Sequence, residues 1–105
     1  MKRVGFISKL KSEYKDEYKK AHDEIWPEQV KALKDAGLNN YSSFYSNGIV
    51  FTYVETENFE KSVAKLFETE INTKWQNHME KYFIKSDPSK LGPEIVMLEE
   101  IFHLD

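Results

Sequence analysis

The chain has 105 residues, enough for one compact domain and too few for two ordinary ones. Its 15 Lys and Arg against 18 Asp and Glu give a net charge of -3 and are interspersed along the chain, which argues against a nucleic-acid partner. Cysteine is absent and no apolar run is long enough for a signal peptide or membrane span, so a cytoplasmic protein with no disulfide and no membrane contact is expected.

Residues 2 to 10 are predicted as a strand, with Val4, Phe6, Ser8 and Leu10 on one face and Arg3, Gly5, Ile7 and Lys9 on the other. Ser12 is the expected N-cap of a first helix running to about Trp26. On that helix Tyr14, Tyr18 and His22 recur every four residues and share a face bordered by Ala21 and Ile25. Pro27 lacks a backbone donor and suits the first position of a renewed helix, whose stripe is Val30, Leu33 and Ala36 and whose stop is Gly37.

Asn47-Gly48 between two runs rich in aromatic and β-branched residues predicts a two-residue type I′ hairpin. A regular turn then pairs Ser46 with Ile49, Phe44 with Phe51 and Ser42 with Tyr53, and on the other face Tyr45 with Val50, Ser43 with Thr52 and Tyr41 with Val54. A second helical region opens near Asn58, breaks at Glu68–Glu70 with Thr69 able to cap a new turn, and continues with Ile71, Trp75, His78, Met79 and Tyr82 on one face. A turn-rich loop from Ser86 to Pro93 leads to a closing strand, Ile95–Phe102. The order is β-α-β-β-α-β, an α+β ferredoxin-like sandwich over residues 1–105 with both helical regions on one face of an antiparallel sheet. The other face is apolar as well, which predicts a homodimer packed sheet to sheet.

Chemistry is concentrated on few residues. His22 titrates near neutrality and suits proton transfer, or else it is a core histidine with satisfied ring nitrogens. Tyr18 either orients that imidazole or a ligand hydroxyl or is ordinary packing, and Trp26 and Trp75 are either core or a stacking surface for a sugar or another flat ligand. The three histidines share no metal-ligand spacing, no carboxylate pair is marked out, and no Gly-rich phosphate loop exists, so neither a metal nor a cofactor is expected.

Tyr18-x-x-x-His22-x-x-Ile25-Trp26-Pro27-Glu28, Asn40-Tyr41, Trp75-x-x-x-Met79 and Glu99-Glu100-Ile101-Phe102-His103-Leu104 together resemble the L-rhamnose mutarotase family over nearly the whole chain. The resemblance implies a dimeric ferredoxin-like α/β barrel, an isomerase of the racemase and epimerase class that interconverts the α and β anomers of L-rhamnose. It matches His22 to the family's general acid and Tyr18 and Tyr41 to its sugar-binding tyrosines. Of the family's two adjacent tryptophans, Trp75 matches the first, and Gln76 stands where the second is expected. If Tyr18, His22 and Tyr41 share a pocket, Tyr41, Ser43, Tyr45, Val50, Thr52 and Val54 lie under the helices, with the small Ser43–Thr52 pair leaving room for a sugar, and Phe44, Ile49, Phe51 and Tyr53 form the dimer face; the opposite assignment buries more apolar area under the helices but strands Tyr41. The alternatives are a cofactor-free monooxygenase-like protein of the same barrel shape and a non-catalytic sugar-binding module.

Overall fold

In the computed structural model, which describes residues 1–105, strand β1 (Lys2–Lys9) is followed by a 3-10 turn at Ser12–Tyr14 and helix α1 (Lys15–Asp23). Helix α2 (Pro27–Asp35) leads to strands β2 (Asn39–Ser46) and β3 (Ile49–Thr56). Helices α3 (Phe59–Phe67) and α4 (Glu70–Met79), a 3-10 turn at Glu80–Tyr82 and a short strand β4 (Val96–Leu98) complete the chain. The sheet order is β2-β3-β1-β4 and every neighbouring pair is antiparallel, which is the ferredoxin-like arrangement. No helix is long and apolar enough to cross a membrane.

Local chemistry explains most of the boundaries. Trp26 is extended, with ψ 134°, and Pro27 takes the first turn of α2, where its missing N–H has no partner to lose. Gly37 follows the helix at φ +88°, a conformation that glycine adopts without steric cost. Asn58 caps α3 by accepting from the Lys61 backbone N–H at 3.1 Å, and Thr69 caps α4 by accepting from the Asn72 N–H at 3.3 Å. Asn47 and Gly48 both have positive φ, at +48° and +81°, as a type I′ turn requires.

The hairpin register is as expected from Ser42 to Ser46, and the faces are those of the sequence analysis. Val50, Thr52 and Val54 are buried beneath the helices, while Phe44 and Phe51 are 66% and 44% exposed on the opposite face. The expected Tyr41–Val54 pair does not form. A bulge intervenes, because Asn39 opposes Glu55 and Ser42 opposes Tyr53, leaving both Asn40 and Tyr41 against Val54. Asn40 adopts φ +48° there, and its amide donates to Glu55 Oε2 at 3.0 Å.

Three further boundaries differ. The first helix stops at Asp23 rather than Trp26, since Pro27 already withdraws Trp26 from helical geometry. Ser12 opens a 3-10 turn and caps nothing with its side chain. The closing strand pairs only at Val96–Leu98; the apolar residues beyond it stand in solvent, with Ile101 91% and Phe102 78% exposed. A guanidinium–carboxylate fork between Arg3 and Glu100, at 2.7 to 3.2 Å, fastens the root of that tail to β1.

Beneath the helices the core divides along the strands. One end is mainly aliphatic: Phe6, Ala32, Ala36, Leu38, Val54 and Leu66. The other is mainly aromatic: Leu10, Val50, Trp75, Met79, Tyr82 and Phe83, with Tyr14, Tyr18, Ala21, Ile25, Trp26 and Tyr45 packed against them. Between them the sheet floor carries small polar residues. Ser8 and Thr52 are buried, and Thr52 shares a 2.9 Å hydroxyl hydrogen bond with Ser43 of β2.

Candidate active site

The tyrosine–histidine face of α1 lies over the aromatic end. Tyr18 packs edge-on against Tyr82 and Phe83, with ring centroids 6.0 and 5.8 Å away, and its ring lies 4.4 Å from that of His22. Tyr14 meets Tyr82 as well, at 5.5 Å, and belongs to the packing beneath the site. His22 also meets Trp75 at 5.5 Å and 88°, so two aromatic neighbours fix the plane of its imidazole. Trp26, thrown out of the helix by Pro27, backs Trp75 at 5.1 Å and stacks with His78 at 5.4 Å.

One hydrogen bond assigns the His22 nitrogens. Nδ1 lies 3.0 Å from the Tyr18 carbonyl one turn earlier, and a carbonyl can only accept, so Nδ1 carries the proton it donates. In the neutral ring Nε2 is then the lone-pair nitrogen, free to take a proton. Burial pushes the His22 pKa below its ordinary 6.5, opposed by the Tyr18 carbonyl and Asp23. At neutral pH the residue is therefore an uncharged base before it is an acid.

The phenols behave oppositely. Burial raises the Tyr18 pKa strongly, and the nearby Tyr41 raises it further. Burial holds the Tyr41 hydroxyl at about 12, although the residue as a whole is 45% exposed in the protomer. Both phenols stay protonated at any physiological pH and serve as donors.

The structure thus brings together four of the residues singled out from sequence: Tyr18, His22, Tyr41 and Trp75. Trp75 is only 6% exposed, which makes it a wall rather than an open stacking platform. Gln76 follows it on α4 and is partly buried, its amide donating to Asn72 Oδ1 at 3.1 Å. Asn72 also receives the Gln29 amide of α2 at 3.0 Å, and both residues are buried. The sequence reading passed over Gln29 and Asn72. Their signal was phase: Gln29 lies on the stripe of Ala32, Leu33 and Ala36, and Asn72 on that of Trp75 and Met79. Two hollows in the surface lie elsewhere, one of about 330 Å³ beside Gly37 and Ser62 and one of about 290 Å³ beside Arg3 and Glu100. Neither is lined by His22 or either of its tyrosines, so the chemistry of the groups locates the site.

Comparison with known proteins gives a consistent result. Residues 3–104 match a family model described as L-rhamnose mutarotase. The chain is 43% identical over 108 residues to the L-rhamnose mutarotase of Oceanobacillus iheyensis, covering 100% of both chains. It is 44% identical over 107 residues to that of Listeria monocytogenes serovar 1/2a, covering 99% of each. The crystal structure of an L-rhamnose mutarotase from Formosa agariphila superposes with a TM-score of 0.84 at 30% identity, covering 100% of both chains.

Proposed function

The chain belongs to the L-rhamnose mutarotase family, and from that premise we propose how its residues exchange the α and β anomers of L-rhamnose. The exchange makes it an isomerase acting on a sugar hemiacetal. The comparisons favour neither the monooxygenase-like reading nor the non-catalytic sugar-binding module.

His22 Nε2 takes the proton of the anomeric hydroxyl. The bond between the anomeric carbon and the ring oxygen breaks, its electron pair goes to the ring oxygen, and the anomeric carbon becomes an aldehyde. The imidazolium then delivers the same proton to the ring oxygen. Both oxygens sit on one carbon in the cyclic sugar, so a single nitrogen reaches both. The aldehyde turns about its bond to the next carbon, the ring oxygen attacks the other face, and the proton returns along the same route. The phenols of Tyr18 and Tyr41 donate hydrogen bonds that hold the sugar and stabilise negative charge on the oxygen being released. Trp75 keeps the imidazole in plane, and Gln76 hydrogen-bonds a sugar hydroxyl.

The observation that carries this mechanism is the Nδ1 hydrogen bond to the Tyr18 carbonyl, which commits one imidazole nitrogen and leaves the other for the sugar. General acid–base assistance of this kind is worth roughly 10²–10⁴-fold. In anomer-exchange NMR with L-rhamnose, His22→Ala is expected to lose about that factor while its circular dichroism stays native. Full exchange in the folded variant removes His22 from the mechanism, and no acceleration by the wild-type protein on any hexose removes the activity.

The working unit in this proposal is a homodimer. Phe44, Phe51, Val96 and Leu98 leave the outer sheet face apolar and open, and a second copy related by a two-fold axis covers it with the same surface. Size-exclusion with light scattering is expected to give twice the protomer mass at micromolar concentration, and Phe51→Glu to shift it to one. A wild-type monomer at that concentration overturns the assembly.

A further inference from the structure

The chain of carboxamides beside the site has a feature that packing alone leaves without a reason. Asn72 and Gln29 are 0% and 1% exposed, and one oxygen, Asn72 Oδ1, accepts from both Gln29 Nε2 at 3.0 Å and Gln76 Nε2 at 3.1 Å. Both lone pairs of that oxygen are used. In exchange, Gln29 Oε1 and Asn72 Nδ2 are buried without a partner. Apolar residues of similar shape would avoid this cost at both positions, so the amides are unfavourable for stability alone.

Their consequence falls on Gln76. With Nε2 held by Asn72, the group of Gln76 left for a ligand is its carbonyl oxygen, Oε1. That oxygen lies under Gly92 in the loop before β4; a Cβ there would approach it to 3.4 Å and the Phe67 ring to 3.3 Å. Glycine places no side chain against the oxygen. The reverse polarity, with Asn72 donating to both glutamine carbonyls, would have the same shape but would present the Gln76 NH₂ instead. Asn72 therefore decides the sign of the hydrogen bond that Gln76 offers.

We propose that Asn72 is a positioning residue for sugar binding: its side-chain carbonyl holds the Gln76 amide so that Gln76 presents an acceptor to a sugar hydroxyl. This rests on the reading of Gln76 as a sugar-binding residue. Asn72 does not touch His22 chemistry, so its effect falls on KM and not on kcat.

The test is a set of variants assayed for KM and kcat by anomer-exchange NMR on L-rhamnose. Gln76→Ala is expected to raise KM about tenfold, the worth of one hydrogen bond, with kcat within about threefold. Asn72→Leu is expected to do the same, and the double variant to be no worse than either alone. Asn72→Asp, whose carboxyl still accepts from both amides, restores KM to within about twofold. Gln29→Met also breaks a buried hydrogen bond and lowers Tm, but it keeps the Asn72–Gln76 contact and the wild-type KM. If Asn72→Leu does not fold, Asn72→Ser, too short to reach Gln76, must give the same rise. A raised KM in Gln76→Ala with an unchanged KM in folded Asn72→Leu or Asn72→Ser overturns the proposal alone. So does an equal KM rise in Gln29→Met, which marks the effect as general loosening. An unchanged KM in Gln76→Ala overturns the sugar-binding reading of Gln76, and the proposal with it.

Discussion

The two ends of the helix-covered core use the same sheet and the same helices for different purposes. Around Phe6, Val54 and Leu66 the side chains are mostly aliphatic, and the buried hydroxyls beside them, Thr56 and Ser62, are spent on each other at 2.8 Å. Around Leu10, Val50 and Trp75 they are mostly aromatic, and the tyrosines and His22 lie over them. Branched aliphatic groups interdigitate at close to crystal density, whereas flat rings meeting edge to face hold one another at set angles. The first end maximises buried apolar contact. The second gives up some of that contact and gains fixed orientations for polar groups.

That division can be broken by mutating each end. The largest effect is expected from Leu66→Ala in the aliphatic cluster, which should lower unfolding free energy by about 2–5 kcal/mol in urea titrations and leave exchange per folded molecule within about twofold. A large fall in specific activity would show the two ends to be coupled. Tyr18→Phe at the aromatic end should do the reverse. Removing one phenolic donor while keeping the ring should slow exchange about tenfold and change stability by less than about 1 kcal/mol.

Acidification should produce the smallest change. Burial lowers the His22 pKa, so the folded protein favours the neutral imidazole that the mechanism uses. Exchange should be flat above pH 6.5 and decline below it, by less than about tenfold at pH 5.5, because a group at 6.5 would itself keep about a tenth in the neutral form. The sign for stability is the same: as pH falls through 6.5 the unfolded chain takes up the proton first and folding weakens. His22→Gln should remove this contribution to the Tm difference between pH 7.5 and 5.5.

What could be read from the sequence was what local chemistry decides. Asn47-Gly48 specified its turn, and through the turn the pairing from Ser46 with Ile49 out to Ser42 with Tyr53. Pro27, Gly37, Asn58 and Thr69 marked helix ends for steric or hydrogen-bonding reasons. The bulge at Asn40–Tyr41 was hidden because it arises from competition between two strands, and only the tolerance of asparagine for positive φ hinted at it. The closing strand was over-extended because an apolar run reads alike whether it is buried or left on a surface. Spacing brought Tyr18 to His22, but the meeting of Gln29 with Asn72, 43 residues apart, depends on how α2 and α4 pack. The proton on Nδ1 likewise follows from a rotamer.

Both tryptophans of the chain, Trp26 and Trp75, stand together at the aromatic end, and the aliphatic end has none. The protein's tryptophan emission therefore comes from the neighbourhood of His22 and from nowhere else. Trp75 meets the imidazole edge-on at 5.5 Å, close enough for a charge on that ring to perturb the indole. Light emitted by the unlabelled molecule should thus serve as a local gauge: in the proposed function it is expected to respond to the protonation of His22 and the arrival of a sugar, and to change little on loosening at the far end of the sheet.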